Sequence, residues 1–186
     1  MTADNPGQYG QSLLAIGLGA LVMAAASQIE IALTAVPLTT QSFAALSLGG
    51  FLGWRLGGAA LLLWLLLGAS GLPFFADGKA GFDHLTGATA GYLLAFPIAA
   101  ALAGWLTATF AAKSLPRLFY VMLAGHALCL VSGTFWLATR IGTAKAIEVG
   151  MTPFLLGAIL KSALAALTVA VLLKVRSRRP ASAEAI

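Results

Sequence analysis

Apolar residues in this chain collect into long unbroken runs, separated by short polar or Gly/Pro-rich breaks, in place of the three-and-four spacing of an amphipathic surface helix. Six such runs stand out, at residues 12–31, 39–53, 56–71, 88–112, 118–141 and 153–175. A bilayer core asks about 20 predominantly apolar residues of a helix, so the pattern predicts an all-α integral membrane protein with six transmembrane helices. The second and third runs are short, and only Trp54 and Arg55 separate them. They read either as a tight helical hairpin or as one broken helix.

Composition supports the membrane reading. Hydrophobic residues make up 60% of the chain and charged residues 9%, against roughly a quarter charged in a soluble domain. The 186 residues accommodate one membrane domain, 12–175, between short tails at 1–11 and 176–186. No positive charge precedes the first apolar run, which argues against a cleaved signal peptide. The lone Cys129 sits within an apolar run and reads as a buried, inert thiol.

Charge sets the orientation. With alternating helices, Arg55, Lys113, Arg117, Lys174, Arg176, Arg178 and Arg179 fall on one side, and Lys79, Arg140 and Lys145 on the other. The positive-inside rule then puts both termini in the cytoplasm. The net charge of +5 reflects that orientation and not nucleic-acid binding, and the basic run at 174–179 meets anionic lipid.

Lys161 is the most informative residue. It lies about two turns into the sixth run, where a charge facing lipid costs about 3 kcal/mol on insertion scales. It must snorkel to the interface or face a wet cavity whose anion comes from another helix, from Glu148, from a loop, or from a ligand carboxylate. The surrounding Gly157-Ala158-Ile159-Leu160-Lys161-Ser162 lacks the second glycine and the preceding strand of a phosphate-binding loop. ATP hydrolysis by that machinery is excluded.

Other polar positions mark run boundaries. Val36-Pro37-Leu38-Thr39-Thr40-Gln41 opens the second run, where Thr and Gln side chains suit a helix cap or an oxygen-bearing ligand. At Thr86-Gly87-Ala88-Thr89-Ala90-Gly91-Tyr92, small residues permit close approach, and Tyr92 reads as a site residue or an interfacial anchor. The Gly-rich, charged connection 72–87 is expected either to fold over the bundle mouth or to remain a solvated linker. Ala15 with Gly19, and Ala20 with Ala24, form small-xxx-small pairs that suit packing within the bundle or docking to a partner. His126 lacks an acid near it on its own helix, so a bundle-facing hydrogen-bonded histidine is expected, and no ligand spacing points to a metal.

In order and spacing, these pieces resemble the BioY family. The likeness runs through Gln28-Ile29, Val-Pro-Leu-Thr-Thr-Gln at 36–41, Gly53-Trp54-Arg55-Leu56-Gly57 and Gly71-Leu72-Pro73-Phe74-Phe75. It continues through Gly87-Ala88-Thr89-Ala90-Gly91-Tyr92-Leu93 to Pro153-Phe154-Leu155-Leu156-Gly157-Ala158-Ile159-Leu160-Lys161.

The resemblance implies a six-helix S component of an energy-coupling-factor (ECF) transporter in the bacterial inner membrane. It would capture biotin at the outer face without enzymatic activity or a cofactor. ATP would be used only by partners, namely a transmembrane coupling subunit and a cytoplasmic ATPase pair; solitary or homo-oligomeric action stays open. The resemblance implies ligand contacts at Lys161, which would meet the valerate carboxylate, and at Thr39, Gln41, Phe75, Thr89, Gly91 and Tyr92. It implies docking on the coupling subunit through Ala20 and Ala24.

Two positions depart from the family pattern. Its Gly-Pro-Thr-Gly-Gly-Tyr reads Gly87-Ala88-Thr89-Ala90-Gly91-Tyr92 here, and Ala158 stands where the family carries an Asp. Polar recognition must then use other groups. A related capture subunit for another small carboxylated vitamin or precursor is the alternative, and an integral-membrane enzyme using His126 or the 77–84 acids is a second.

Overall fold

The computed structural model describes residues 6–31, 36, 38–111 and 114–178. Pro37, Lys113, Arg179 and the outer parts of both tails lie outside the described residues. Helix α1 (Pro6–Ser27) opens on a proline, which suits a first turn whose N–H groups have no helical partner. It starts ahead of the first apolar run and stops short of the predicted residue 31. There the chain turns extended, and β1 (Glu30–Ile31) pairs antiparallel with β2 (Leu38–Thr39), Glu30 opposite Thr39.

The tight-hairpin reading of the next two runs holds. Helices α2 (Gln41–Leu52) and α3 (Trp54–Ala69) meet at Gly53, whose φ of 84° lies in the region that favours glycine. Helix α4 (Ala90–Leu106) passes into a π-helical turn at Thr107–Ala111. Helix α5 (Leu115–Ile141) ends at Gly142. A short helix absent from the sequence reading, α6 (Thr143–Gly150), then leads through a tight turn at Thr152–Phe154 to α7 (Leu155–Ser177). Helix α6 contains both Lys145 and Glu148, and its eight residues are too short and polar to register as an apolar run.

Within the bundle, α4 packs against α2, α3 and α5, while α7 closes on α2 and α5. Lipid tails are as apolar as leucine side chains, so close backbone approach through small residues drives this packing. A β-carbon on Gly49 would run into the backbone of Ala100, and one on Gly104 would lie 2.5 Å from the Gly53–Trp54 peptide. Ala20 and Ala24 belong to this interior at 1% and 8% exposure. The helical period turns both onto α1's inward face with Met23 and Ser27, so in the isolated chain they pack within the bundle.

The outward faces carry large apolar side chains, among them Leu14, Leu18, Leu66, Ile98, Phe135 and Leu164. Among the described residues, four segments are long and apolar enough to cross a bilayer: Gly7–Ser27, Ala90–Phe110, Leu115–Ile141 and Thr143–Ser177. Helices α2 and α3, with 12 and 16 residues, are apolar but short. At a rise of about 1.5 Å per residue, each reaches less than the roughly 30 Å of a hydrocarbon core.

Candidate functional site

The described parts of the connection 28–40 and the connections 70–89 and 142–154 gather at one end of the bundle. Gln28 ties the first to the second: its Nε2 donates to the carbonyls of Pro73 (3.3 Å) and Phe75 (3.1 Å), and its Oε1 accepts from Gly78 N–H (3.0 Å). Arg140 donates to the Thr86 carbonyl at 2.8 Å and stacks its guanidinium over Trp136, whose Nε1 donates to the Gly87 carbonyl at 2.8 Å. The 72–87 segment is therefore folded over the mouth, where Asp77, Lys79, His84 and Gly87 help to line a cavity of about 390 Å³. That volume falls within the roughly 300–1,000 Å³ of small-molecule sites.

Of the residues expected at a ligand, Lys161, Thr39, Gln41, Thr89 and Tyr92 line this cavity. Lys161 is half-buried and its Nζ donates to the Thr39 carbonyl at 2.5 Å. It forms no ion pair among the described residues. Glu148, one candidate for its counter-charge, is instead exposed on α6 and pairs with Lys145 at 3.0 Å. Burying an amine beside a neutral carbonyl leaves its charge without full compensation.

The start of α2 also departs from expectation. Thr40 and Gln41 do not cap the helix; Thr40 Oγ1 donates to the Ala26 carbonyl (2.7 Å), and Gln41 Nε2 donates to Ser27 Oγ (3.0 Å). Thr39 Oγ1 donates to Gln41 Oε1 at 3.1 Å. These side chains anchor the α1–α2 connection, and the Thr39–Gln41 pair presents polar atoms to the cavity.

Tyr92 is no lipid anchor. Its ring fills the space left by Gly133, and its hydroxyl donates to the Gly150 carbonyl at 2.6 Å. Thr89 forms no side-chain hydrogen bond among the described residues.

Phe75 and Gly91 do not reach the cavity wall. Phe75 is fully buried beneath the loop, edge-on to Trp64 (5.3 Å) and stacked on His84 (5.0 Å), so it supports His84, which does line the cavity. Gly91 lies against the Ser132 carbonyl and Trp136, where it lets α4 approach α5.

The cavity has two further polar residues: Glu30, which sequence reading missed, and His126, which it expected to face the bundle with a hydrogen bond but did not place at a ligand. Both residues belong to its lining, and Glu30 Oε2 and His126 Nε2 are buried with no partner among the described residues. A polar residue midway along an apolar run was the available signal for His126; Glu30 had none beyond its place at the end of one. Burial pushes the His84 imidazole below its usual range, and Lys79 adds to the shift.

Comparison with known proteins bears on what this cavity serves. A family model described as the BioY family matches residues 3–178. The chain belongs to the BioY family. Among its relatives, the biotin transporter BioY2 of Lactococcus lactis subsp. cremoris (strain MG1363) is 38% identical over 155 residues, 82% of this chain and 85% of that protein. The probable biotin transporter BioY of Pyrococcus horikoshii is 37% identical over 153 residues, covering 81% and 90% respectively.

The fold of this BioY-family chain matches a crystal structure of the S-component for biotin from an ECF-type ABC transporter. The TM-score is 0.80 over 97% of this chain and 98% of that one, at 23% identity. These relatives are named as transporters, not as enzymes.

Proposed function

We propose that this BioY-family protein is the capture component of a biotin uptake system. It crosses the bacterial inner membrane six times with both termini in the cytoplasm, and the short α2 and α3 make up the second and third crossings. The cavity then opens outward, and the basic residues of the opposite end meet the cytoplasmic leaflet. Energy comes from a separate ECF coupling subunit with its ATPase pair.

One observation carries the reading: Lys161 is half-buried in a cavity of ligand size with only a backbone carbonyl as its partner among the described residues. A ligand carboxylate supplies the missing charge, and a charge-assisted hydrogen bond in such a site is roughly twice as strong as a neutral one. Biotin is supported as the ligand by the names and coverage of the relatives. Thr39, Gln41, Thr89 and Tyr92 are the proposed polar and aromatic contacts.

Titration calorimetry on the purified protein tests this, with sub-micromolar biotin binding expected. Absence of measurable heat and of saturable radiolabelled biotin binding rejects it. A second reading, a related small carboxylated vitamin, is favoured by Ala158 on the cavity wall, where the family pattern carries an Asp. Competition with a panel of vitamins separates the two, and reporter fusions at each terminus and loop test the orientation.

A further inference from the structure

His126 is 2% exposed on α5 and lines the cavity, and it takes no part in the function proposed so far. Its Nδ1 lies 3.0 Å from the Met122 carbonyl and 2.9 Å from Ser162 Oγ. A carbonyl only accepts, so Nδ1 must carry the proton. Ser162 agrees, because its single hydroxyl hydrogen goes to the Ala158 carbonyl at 2.7 Å, leaving the oxygen to accept from His126.

Nε2 is then the bare nitrogen of a neutral imidazole, and it is buried with no partner among the described residues. A second proton would create a cation in an apolar interior on the same cavity wall as Lys161, which such surroundings disfavour. The tautomer is locked from both sides, by the residue's own helix and by α7. Ser162 directly follows Lys161, so one turn of α7 carries the cavity's cation and orients its neutral acceptor.

From this geometry we infer that His126 is a specificity-determining residue, whose Nε2 accepts a hydrogen bond from an N–H group of the ligand. The inference rests on the biotin reading, in which the cyclic urea supplies two N–H donors at the end remote from the carboxylate. A lone-pair acceptor selects a donor and disfavours an oxygen isostere or an alkylated nitrogen, either of which leaves Nε2 buried and unpaired. It also supplies a polar contact in a cavity where Ala158 provides none.

Displacement of radiolabelled biotin from the full-length protein in nanodiscs tests the assignment, with biotin and its two mono-N-methyl urea isomers as competitors. The wild type is expected to favour biotin over one isomer by about tenfold, the loss of one net hydrogen bond. His126→Phe should abolish that preference while still binding through Lys161, and His126→Gln, which keeps an acceptor, should retain part of it. A preference unchanged in a folded His126→Phe overturns the inference and leaves the biotin reading intact. No saturable biotin binding by the wild type overturns both.

Nitrogen NMR of the histidine-labelled wild type covers the case in which the variants do not fold. The chain has only two histidines, and a bare His126 Nε2 signal is expected to move toward the hydrogen-bonded range on biotin addition. A protonated Nε2, or a signal indifferent to biotin, equally overturns the inference.

Discussion

The two ends of the bundle solve opposite problems. Around Gly49, Gly57 and Gly104, helices α2, α3 and α4 approach so closely that a single β-carbon would meet backbone, and the interface is almost wholly apolar. Around Lys161, Gln41 and His126 a cavity remains under the loops, and several polar groups have partial or absent partners among the described residues. In lipid, contact between helices gains little from the hydrophobic effect, so tight packing is available only where side chains are small. The polar groups left without full partners around the cavity are those that the proposed ligand would complete.

The largest expected effect breaks the packed end. Gly49→Val should destabilise the protein by about 3 kcal/mol, at the top of the usual overpacking range, because the rigid Ala100 backbone stands where the side chain must go. Thermal unfolding in detergent reads this out, and an unchanged midpoint would show that the approach of α2 to α4 is not a constraint.

Lys161→Ala separates the two ends. Biotin affinity should fall about 100-fold, as for truncation of one member of a buried charge pair, while the unfolding midpoint stays put or rises as an uncompensated charge is removed. A lowered midpoint with unchanged affinity would make Lys161 a structural residue.

Tyr92→Phe lies on the border between the regions. It keeps the packing against Gly133 and removes the hydrogen bond to the Gly150 carbonyl, so a stability loss of about 1 kcal/mol is expected. Thermal or denaturant unfolding beside the wild type measures it.

The smallest effect concerns the loop. Because the folded His84 imidazole sits below its usual range, the unfolded segment takes up a proton first as pH falls through about 6.5, the ordinary value. Loop stability is therefore full above that pH and declines below it, until the folded imidazole also protonates. Protection factors of the amides across 76–86, referred to the intrinsic exchange rate at each pH, should fall modestly from pH 7.5 to pH 5.5 in the wild type and not in His84→Phe. An equal fall in both would exclude His84 as the cause.

Much of the cavity was legible from residue type. A lysine two turns into an apolar run has few tolerable surroundings, and Thr39, Gln41, Thr89 and Tyr92 mark the ends of runs where polar side chains gather. Phe75 and Gly91 neighbour cavity residues in sequence but point into packing, which spacing along a motif does not distinguish. Ala20 and Ala24 show the same limit: a small-residue pair announces close approach without naming what approaches.

Sequence by itself determined the solvent and the element type. Long apolar runs with few charges exclude water as the main surroundings, and a bilayer requires their backbone groups to be satisfied within helices. Tertiary structure alone decided which face of each helix meets which neighbour, and hence that Lys161 turns to the Thr39 carbonyl while Glu148 pairs elsewhere. It also fixed the His126 tautomer, through the Met122 carbonyl and Ser162. The reason is physical: helix formation follows from bonds made within four residues, whereas a polar group's partner depends on distances set by packing between segments far apart in the chain.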